Sequence, residues 1–257
     1  MKLSHVYLYF RDELDDFEVT FNNHVNFINW YISKSIRKFK IDLPYDFNAL
    51  GIRPTLTGTD NCTIVPVKWL DISLSLKDDE KQQYLELKSP NGKYEFYLSL
   101  LERGYRIANK SFEIPVDILL SIHEEFRKNN YTTEWIFKNV YIKELGINVV
   151  LRCQLTAYDF SFYMDVLKHK SKECITSVLI WQTPPHYLCF HKDIRKLELK
   201  DDKILVLDFL DRPHFEIDIS SLVTDQPIIN YIYGNKVEEP QVIQKLRQEF
   251  SIGHLSI

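Results

Sequence analysis

The sequence predicts an α+β protein made of antiparallel β meanders packed by a long N-terminal helix and several shorter ones, and three observations carry this. Phe17, Phe21, Val25, Ile28, Ile32, Ile36 and Phe39 recur at steps of three or four, the single apolar stripe of one long helix. Many of the remaining apolar residues alternate with polar ones, as Ile72, Leu74 and Leu76 do with Ser73, Ser75 and Lys77, which is the period of a half-buried strand. The strand-like runs are grouped and separated by single helices, a pattern that fits segregated elements better than βαβ winding.

Taken in order, residues 3–10 read as a strand and the apolar stripe as a helix ending near Phe39. Asp15, Asp16 and Glu18 stand at the start of that helix and Lys34, Arg37, Lys38 and Lys40 at its end, the charge order its dipole favours. Residues 42–61 contain Pro44, Gly51, Pro54, Gly58 and Asn61 and follow neither period, so they are expected to form a linker. Strands are predicted over 63–67, 72–76, 84–88 and 93–101, the last two joined by a turn at Pro90-Asn91-Gly92. Pro115 then opens a helix in which Leu119, Ile122, His123 and Phe126 share one face. Around Gly146 a hairpin is predicted, and Thr156 with Asp159 three positions on suggests a capped helix over 157–168. Strands over 175–181, 187–191, 196–200, 203–209 and 214–219 and a helix over 240–250 complete the chain.

The segment from Leu85-Glu86-Leu87-Lys88 to Phe112-Glu113-Ile114 resembles that from Leu197-Glu198-Leu199-Lys200 to Phe215-Glu216-Ile217. The pattern allows two similar halves, 1–130 and 131–257, although alternating Leu with Glu or Lys is common to half-exposed strands generally. At 257 residues, one large domain and two packed halves are both allowed.

Composition removes several function classes. Lys plus Arg number 32 against 36 Asp plus Glu, a net charge of −4, too balanced for a duplex nucleic-acid binder that neutralises many phosphates and leaving room only for a local patch. No two of the seven glycines are closer than seven residues, so neither a G-x-G-x-x-G fingerprint nor a Walker loop can be written. Cys62, Cys153, Cys174 and Cys189 lie far apart in apolar surroundings and are expected to be buried free thiols. With no signal-like segment and no long apolar run, a cytoplasmic location without a membrane span is expected.

Four constellations bear on chemistry. Asp71 followed by Glu86-Leu87-Lys88 is similar to the PD-(D/E)xK nuclease arrangement, in which two carboxylates hold Mg²⁺ and Lys orients the attacking water; here Pro does not precede Asp71. Strand alternation would converge the three groups only if 84–88 pairs with the strand carrying Asp71. His186-x-x-Cys189-x-His191 with Cys174 offers soft ligands, but in a strand His186 and Cys189 face opposite sides, so no metal is expected. His123-Glu124-Glu125 lacks the second zincin histidine, since Arg127 stands four residues on.

The fourth constellation is interaction chemistry: 35 aromatic residues (4 Trp, 15 Tyr, 16 Phe) and a run of acids comprising Asp201, Asp202, Asp208, Asp211, Glu216 and Asp218. Rigid aromatic surface and acidic rims suit a non-enzymatic protein-binding module, inhibitor or immunity-like, that needs no cofactor and covers a basic site on another protein. A metal-dependent nuclease using Asp71, Glu86 and Lys88 is the alternative.

Overall fold

The structure is a computed structural model that describes residues 1–11, 16–156, 158–183, 185, 194–224 and 227–232. It is an α+β fold: among these residues are four α-helices and three four-stranded sheets, two of them wholly antiparallel. The chain divides into two compact units, residues 1–133 and the chain from 134 onward.

The first unit runs β1 (His5–Leu8), α1 (Asp16–Phe39), β2 (Ala49–Thr55), β3 (Asn61–Val65), β4 (Trp69–Ser75), α2 (Asp78–Glu86), α3 (Pro90–Asn109) and α4 (Val116–Lys128). Its sheet has the order β1-β2-β4-β3, with β1, β2 and β4 parallel and β3 alone antiparallel. The expected meander is therefore corrected here to a βαβ crossover. The apolar stripe of α1 has to be buried, and laying it across one sheet face returns the chain parallel to where it left. Val6, Leu8, Leu50, Ile52, Leu70, Ile72 and Leu74 line that buried face. Against it pack α1, over β1, and α3, over β2 and β4. A Cβ at Gly104 of α3 would fall 2.7–2.8 Å from three carbons of Ile52, so the absent side chain sets how closely helix and strand approach.

The predicted linker instead contains strand β2 at its centre. Gly51 and Pro54 both lie in β2, which is flanked by strands on both sides yet tolerates proline because β1 stops opposite Ile52, before Pro54 is reached. A second correction concerns 84–88 and 93–101: residues 84–86 end helix α2 and 93–101 lie within α3. Ser89 is the N-cap of α3, its hydroxyl accepting from the Gly92 N–H at 3.1 Å with Pro90 in the first turn, so Ser-Pro-Asn-Gly starts a helix and makes no hairpin. The internal similarity fails with it, because 90–109 is one helix whereas its supposed counterpart over 203–207 is a strand. By contrast α4 buries Leu119, Ile122, His123 and Phe126, the face read from sequence.

The outer edge of β1 is closed by α1. Asn29 accepts from the Leu8 N–H at 2.8 Å and donates to the Leu8 carbonyl at 2.9 Å; Asn22 does the same for Phe10, and the Ser33 hydroxyl for Val6. Helix residues 22, 29 and 33 thus stand in for a neighbouring strand at alternate positions, satisfying groups that would otherwise template aggregation.

The second unit is built from two antiparallel meanders: β5 (Thr133–Ile142), β6 (Ile147–Leu155), β7 (Phe160–Lys168) and β8 (Cys174–Thr183), then β9 (Lys196–Lys200), β10 (Lys203–Leu207), β11 (Pro213–Asp218) and β12 (Ile229–Tyr231). The helix expected over 157–168 is β7. Thr156 Oγ1 accepts from the Asp159 N–H and the Thr156 N–H donates to the Asp159 carbonyl, so the apparent capping box closes a loop between two strands. Of the described thiols, Cys153 is buried as expected, whereas Cys62 is half-buried and Cys174 exposed, which corrects the expectation for these two. Cys174 opens β8 where that strand's outward positions meet solvent. The strand predicted over 187–191 and the helix over 240–250 lie outside the described residues.

Candidate functional site

The chemistry of the first unit gathers on the sheet face turned away from α1 and α3. Strand alternation sends His5 and Tyr7 of β1, Ala49, Gly51 and Arg53 of β2, and Trp69, Asp71 and Ser73 of β4 to that side. Tyr7 and Trp69 stand on strands separated by β2, yet their rings stack with centroids 5.0 Å apart and planes 22° from parallel. His5 extends the row, stacked on Tyr7 at 5.6 Å. Rings can meet across a strand only if that strand carries almost no side chain beneath them, and Ala49 and Gly51 meet this condition. A Cβ on Gly51 would touch the rings of Trp69 and Tyr9 at 3.4 Å.

Beyond the ring row lies a polar cluster. Tyr9 donates its hydroxyl proton to Asp71 Oδ1 at 2.8 Å. Arg53 Nη2 donates to Ser73 Oγ at 2.7 Å and reaches Asp71 Oδ2 at 3.4 Å. Burial, reinforced by the Asp71 carboxylate, pushes the Tyr9 phenol up to about 12, so it stays a proton donor at neutral pH. Burial and the neighbouring Arg37 guanidinium hold the His5 imidazole below its ordinary value, which keeps that ring neutral.

Two open clefts adjoin at Tyr9 and Trp69. One, of about 510 Å³, has an apolar side made by Val65, Val67 and Trp69 and a charged side made by Arg11, Arg53 and Asp71. The other, of about 290 Å³, runs from Tyr7 and Trp69 towards the α1 amides, including Asn26. Flat ring surface beside guanidinium donors equips the larger cleft to hold a ligand with a planar part and an anionic part.

Asp71 therefore lies in this site, but Glu86 and Lys88 are not brought to it by the predicted hairpin. Glu86 is the last residue of α2, exposed, and accepts from Gln82 one turn back at 2.8 Å; Lys88 follows the helix. With 84–86 helical and 87–88 in no strand, the strand pairing that would have converged the three groups does not exist. Among the described residues, no three His, Cys, Asp or Glu side chains form a group that could hold a metal ion. His186, Cys189 and His191 lie outside the described residues.

The acidic run of the second unit separates into two kinds. Asp208 is buried and pairs with Arg212 at 2.7 Å while accepting the Leu210 and Arg212 N–H groups; burial opposes its ionisation, but these donors outweigh it and hold its pKa below the usual carboxylate range. Glu216 pairs with Lys203, and Asp218 caps the turn after β11 through Ser220. Asp201, Asp202 and Asp211 are exposed in turns, all three with positive φ. The first two form the tight β9–β10 hairpin turn, with φ 49° and 59°.

Sequence reasoning missed Tyr7, Tyr9, Arg53 and Trp69 as a group. The signal was present in the alternation of 5–9 and 69–75, but Gly51 and Arg53 were assigned to a linker, which removed the strand over which the rings meet. No protein-family model, curated protein or solved structure matches this chain.

Proposed function

We propose that the chain is a non-enzymatic binding protein and that the open face of the first sheet is its recognition surface. One observation carries the reading: a stacked aromatic row crosses a sheet face that, among the described residues, no helix of its own unit covers, with two adjoining clefts and an organised Tyr9–Asp71–Arg53–Ser73 cluster at its end. Half-buried rings and an Arg53 guanidinium held by Ser73 and Asp71 before any partner arrives lose little entropy on binding. The nuclease alternative loses its support, since Asp71 is engaged by Tyr9 and Arg53 and Glu86 by Gln82.

A second reading keeps the inhibitor or immunity-like role, with the exposed turn carboxylates Asp201, Asp202 and Asp211 meeting a basic surface on a protein partner. Support for it is limited to those three groups, because Asp208, Glu216 and Asp218 are committed internally.

The test passes native-cell extract over the immobilised full chain and analyses retained protein, nucleic acid and small molecules separately. Species retained by the wild type should be lost with Trp69→Ser and kept by the triple variant Asp201→Asn, Asp202→Asn, Asp211→Asn. The reverse pattern moves recognition to the second unit and rejects the open face.

A further inference from the structure

We propose that the larger cleft on the open face binds a nucleoside phosphate, as a free mononucleotide or as the 5′-phosphorylated end of a single strand, with the base against Trp69 and the phosphate at Arg11 and Arg53. This rests on the open face being the recognition surface and names the chemistry that it accepts.

The cleft is polarised along the strands. Val65 is paired with Trp69 across β3 and β4, whereas Asp71 lies two residues further along β4 and Arg53 is paired with Ser73 further still. A ligand that fills it needs an apolar, flat end and a charged end. Base–aromatic stacking suits the first, because every base has a π face and the Trp69 ring is already fixed by its stack on Tyr7.

Charge decides the sign of the second. Among the described residues that line the cleft, Arg11 and Arg53 face one carboxylate, Asp71, one oxygen of which takes the Tyr9 hydroxyl. The Arg53–Asp71 contact, at 3.4 Å, is longer than a tight charge-assisted pair, and both polar contacts of Arg53 use Nη2. Its Nε and Nη1 donors therefore remain for phosphate oxygens. Arg37, exposed and close enough to lower the His5 pKa, adds positive potential beside the ring row. This local excess of cations sits in a chain of net charge −4. It favours an anion confined to one cleft over a long duplex, whose phosphates need an extended basic track. A basic peptide would meet two guanidinium groups, and a neutral sugar would leave both without counter-charge. The volume, about 510 Å³, lies within the range typical of small-ligand sites.

Calorimetric titration of the full chain tests this with AMP, CMP, adenosine, inorganic phosphate, 5′-phosphorylated and 5′-hydroxyl trinucleotides, and an Asp/Glu-rich peptide. AMP or CMP should bind with Kd below about 1 mM, weaken with added salt, and exceed adenosine and phosphate alone by about tenfold or more. Arg11→Ala, at an exposed position, and Arg53→Lys, which keeps the charge but loses the fork, should each cost about tenfold, as should Trp69→Leu. A phosphorylated trinucleotide that outbinds AMP assigns the site to strand ends, and equal affinity assigns it to mononucleotides. Adenosine binding as well as AMP, nucleotide affinity indifferent to Arg11→Ala and Trp69→Leu, or binding of the acidic peptide alone would each overturn the proposal. If no nucleotide binds while retention from extract still depends on Trp69, the nucleotide inference fails and the recognition face stands; if retention is also indifferent to Trp69, both fail.

Discussion

The two faces of the first sheet are written in the same strands with opposite chemistry. On the face covered by α1 and α3, every inward position of β1 and β4 is aliphatic, and Ile52 of β2 lies directly under the Cα of Gly104. On the other face His5, Tyr7, Arg53, Trp69, Asp71 and Ser73 stand at alternate positions, none of them fully buried, around the small buried Ala49 and Gly51. The two glycines make the same contrast. Gly104 has no side chain so that a helix can close on the sheet, and Gly51 has none so that rings from two strands can meet above it, leaving clefts beside them. One face is finished by the protein itself. The other has its polar groups oriented but is left accessible, which is the condition expected of a surface that something else completes.

Ile72→Ala gives the largest expected effect on this contrast. Ile72 is fully buried in β4, so removing its branches should cost about 2–5 kcal/mol, read as a lowered urea midpoint at unchanged slope. A loss below about 1 kcal/mol would mean that the helix-covered face can collapse around the cavity and is less tightly packed than its burial indicates.

The helical layer carries one polar group whose cost depends on pH. His123 of α4 is buried, its Nε2 lies 3.3 Å from the Tyr105 hydroxyl, and its Nδ1 has no partner. Burial, aided by Arg127, depresses its pKa to about 4. With the folded value below the unfolded value near 6.5, the unfolded chain binds more protons between these limits. The stability is therefore complete above about pH 6.5 and falls by about 1.4 kcal/mol per pH unit as acid takes it towards 4. Urea titrations at pH 7 and pH 5 should show this loss, and His123→Gln should reduce it. A wild type and variant with the same pH dependence would place the proton uptake elsewhere; His24, also pushed down to about 4 by burial, is the next group to replace.

What could be read from sequence follows the range of the interactions involved. The α1 stripe and the α4 face are set by residues three or four apart, and both were legible. Much of the second unit's strand content was legible from period-two runs between turns, but β12 was not anticipated and β7 was read as a helix, because the Thr156–Asp159 loop has the same spacing as a capping box. The run 93–101 fits a strand as readily as a helix by alternation alone, and the Ser89 cap together with burial of Tyr97, Leu98, Leu101 and Tyr105 on one side selects the helix. The site was the least legible part. Asp71 stood out, but Tyr9 is 62 residues away and Arg53 18, and only the parallel register of β1, β2 and β4 brings them together. Parallel pairing through a crossover leaves no local mark comparable to a hairpin turn.

The smallest expected effect comes from Glu86→Gln, which sharpens the comparison by testing a carboxylate that belongs to neither face. Glu86 is exposed at the end of α2 and touches only Gln82 among its described hydrogen-bond partners. An exposed neutral-to-charged contact one helical turn apart is worth a few tenths of a kcal/mol, and an acidic residue at a helix C-terminus is opposed by the dipole, so the two contributions nearly cancel. Stability should change by no more than about 0.5 kcal/mol, and the binding of whatever the open face retains should not change at all. Incubation with DNA or RNA and Mg²⁺ or Mn²⁺ should give no cleavage in either wild type or variant, because Asp71 is engaged by Tyr9 and Arg53 on the sheet while Glu86 sits on a helix outside the pairing that the nuclease arrangement requires. Robust metal-dependent cleavage that disappears in Glu86→Gln and in Asp71→Asn would show that the two carboxylates act on one ion in solution, and the open face would then be an active site instead of a recognition surface.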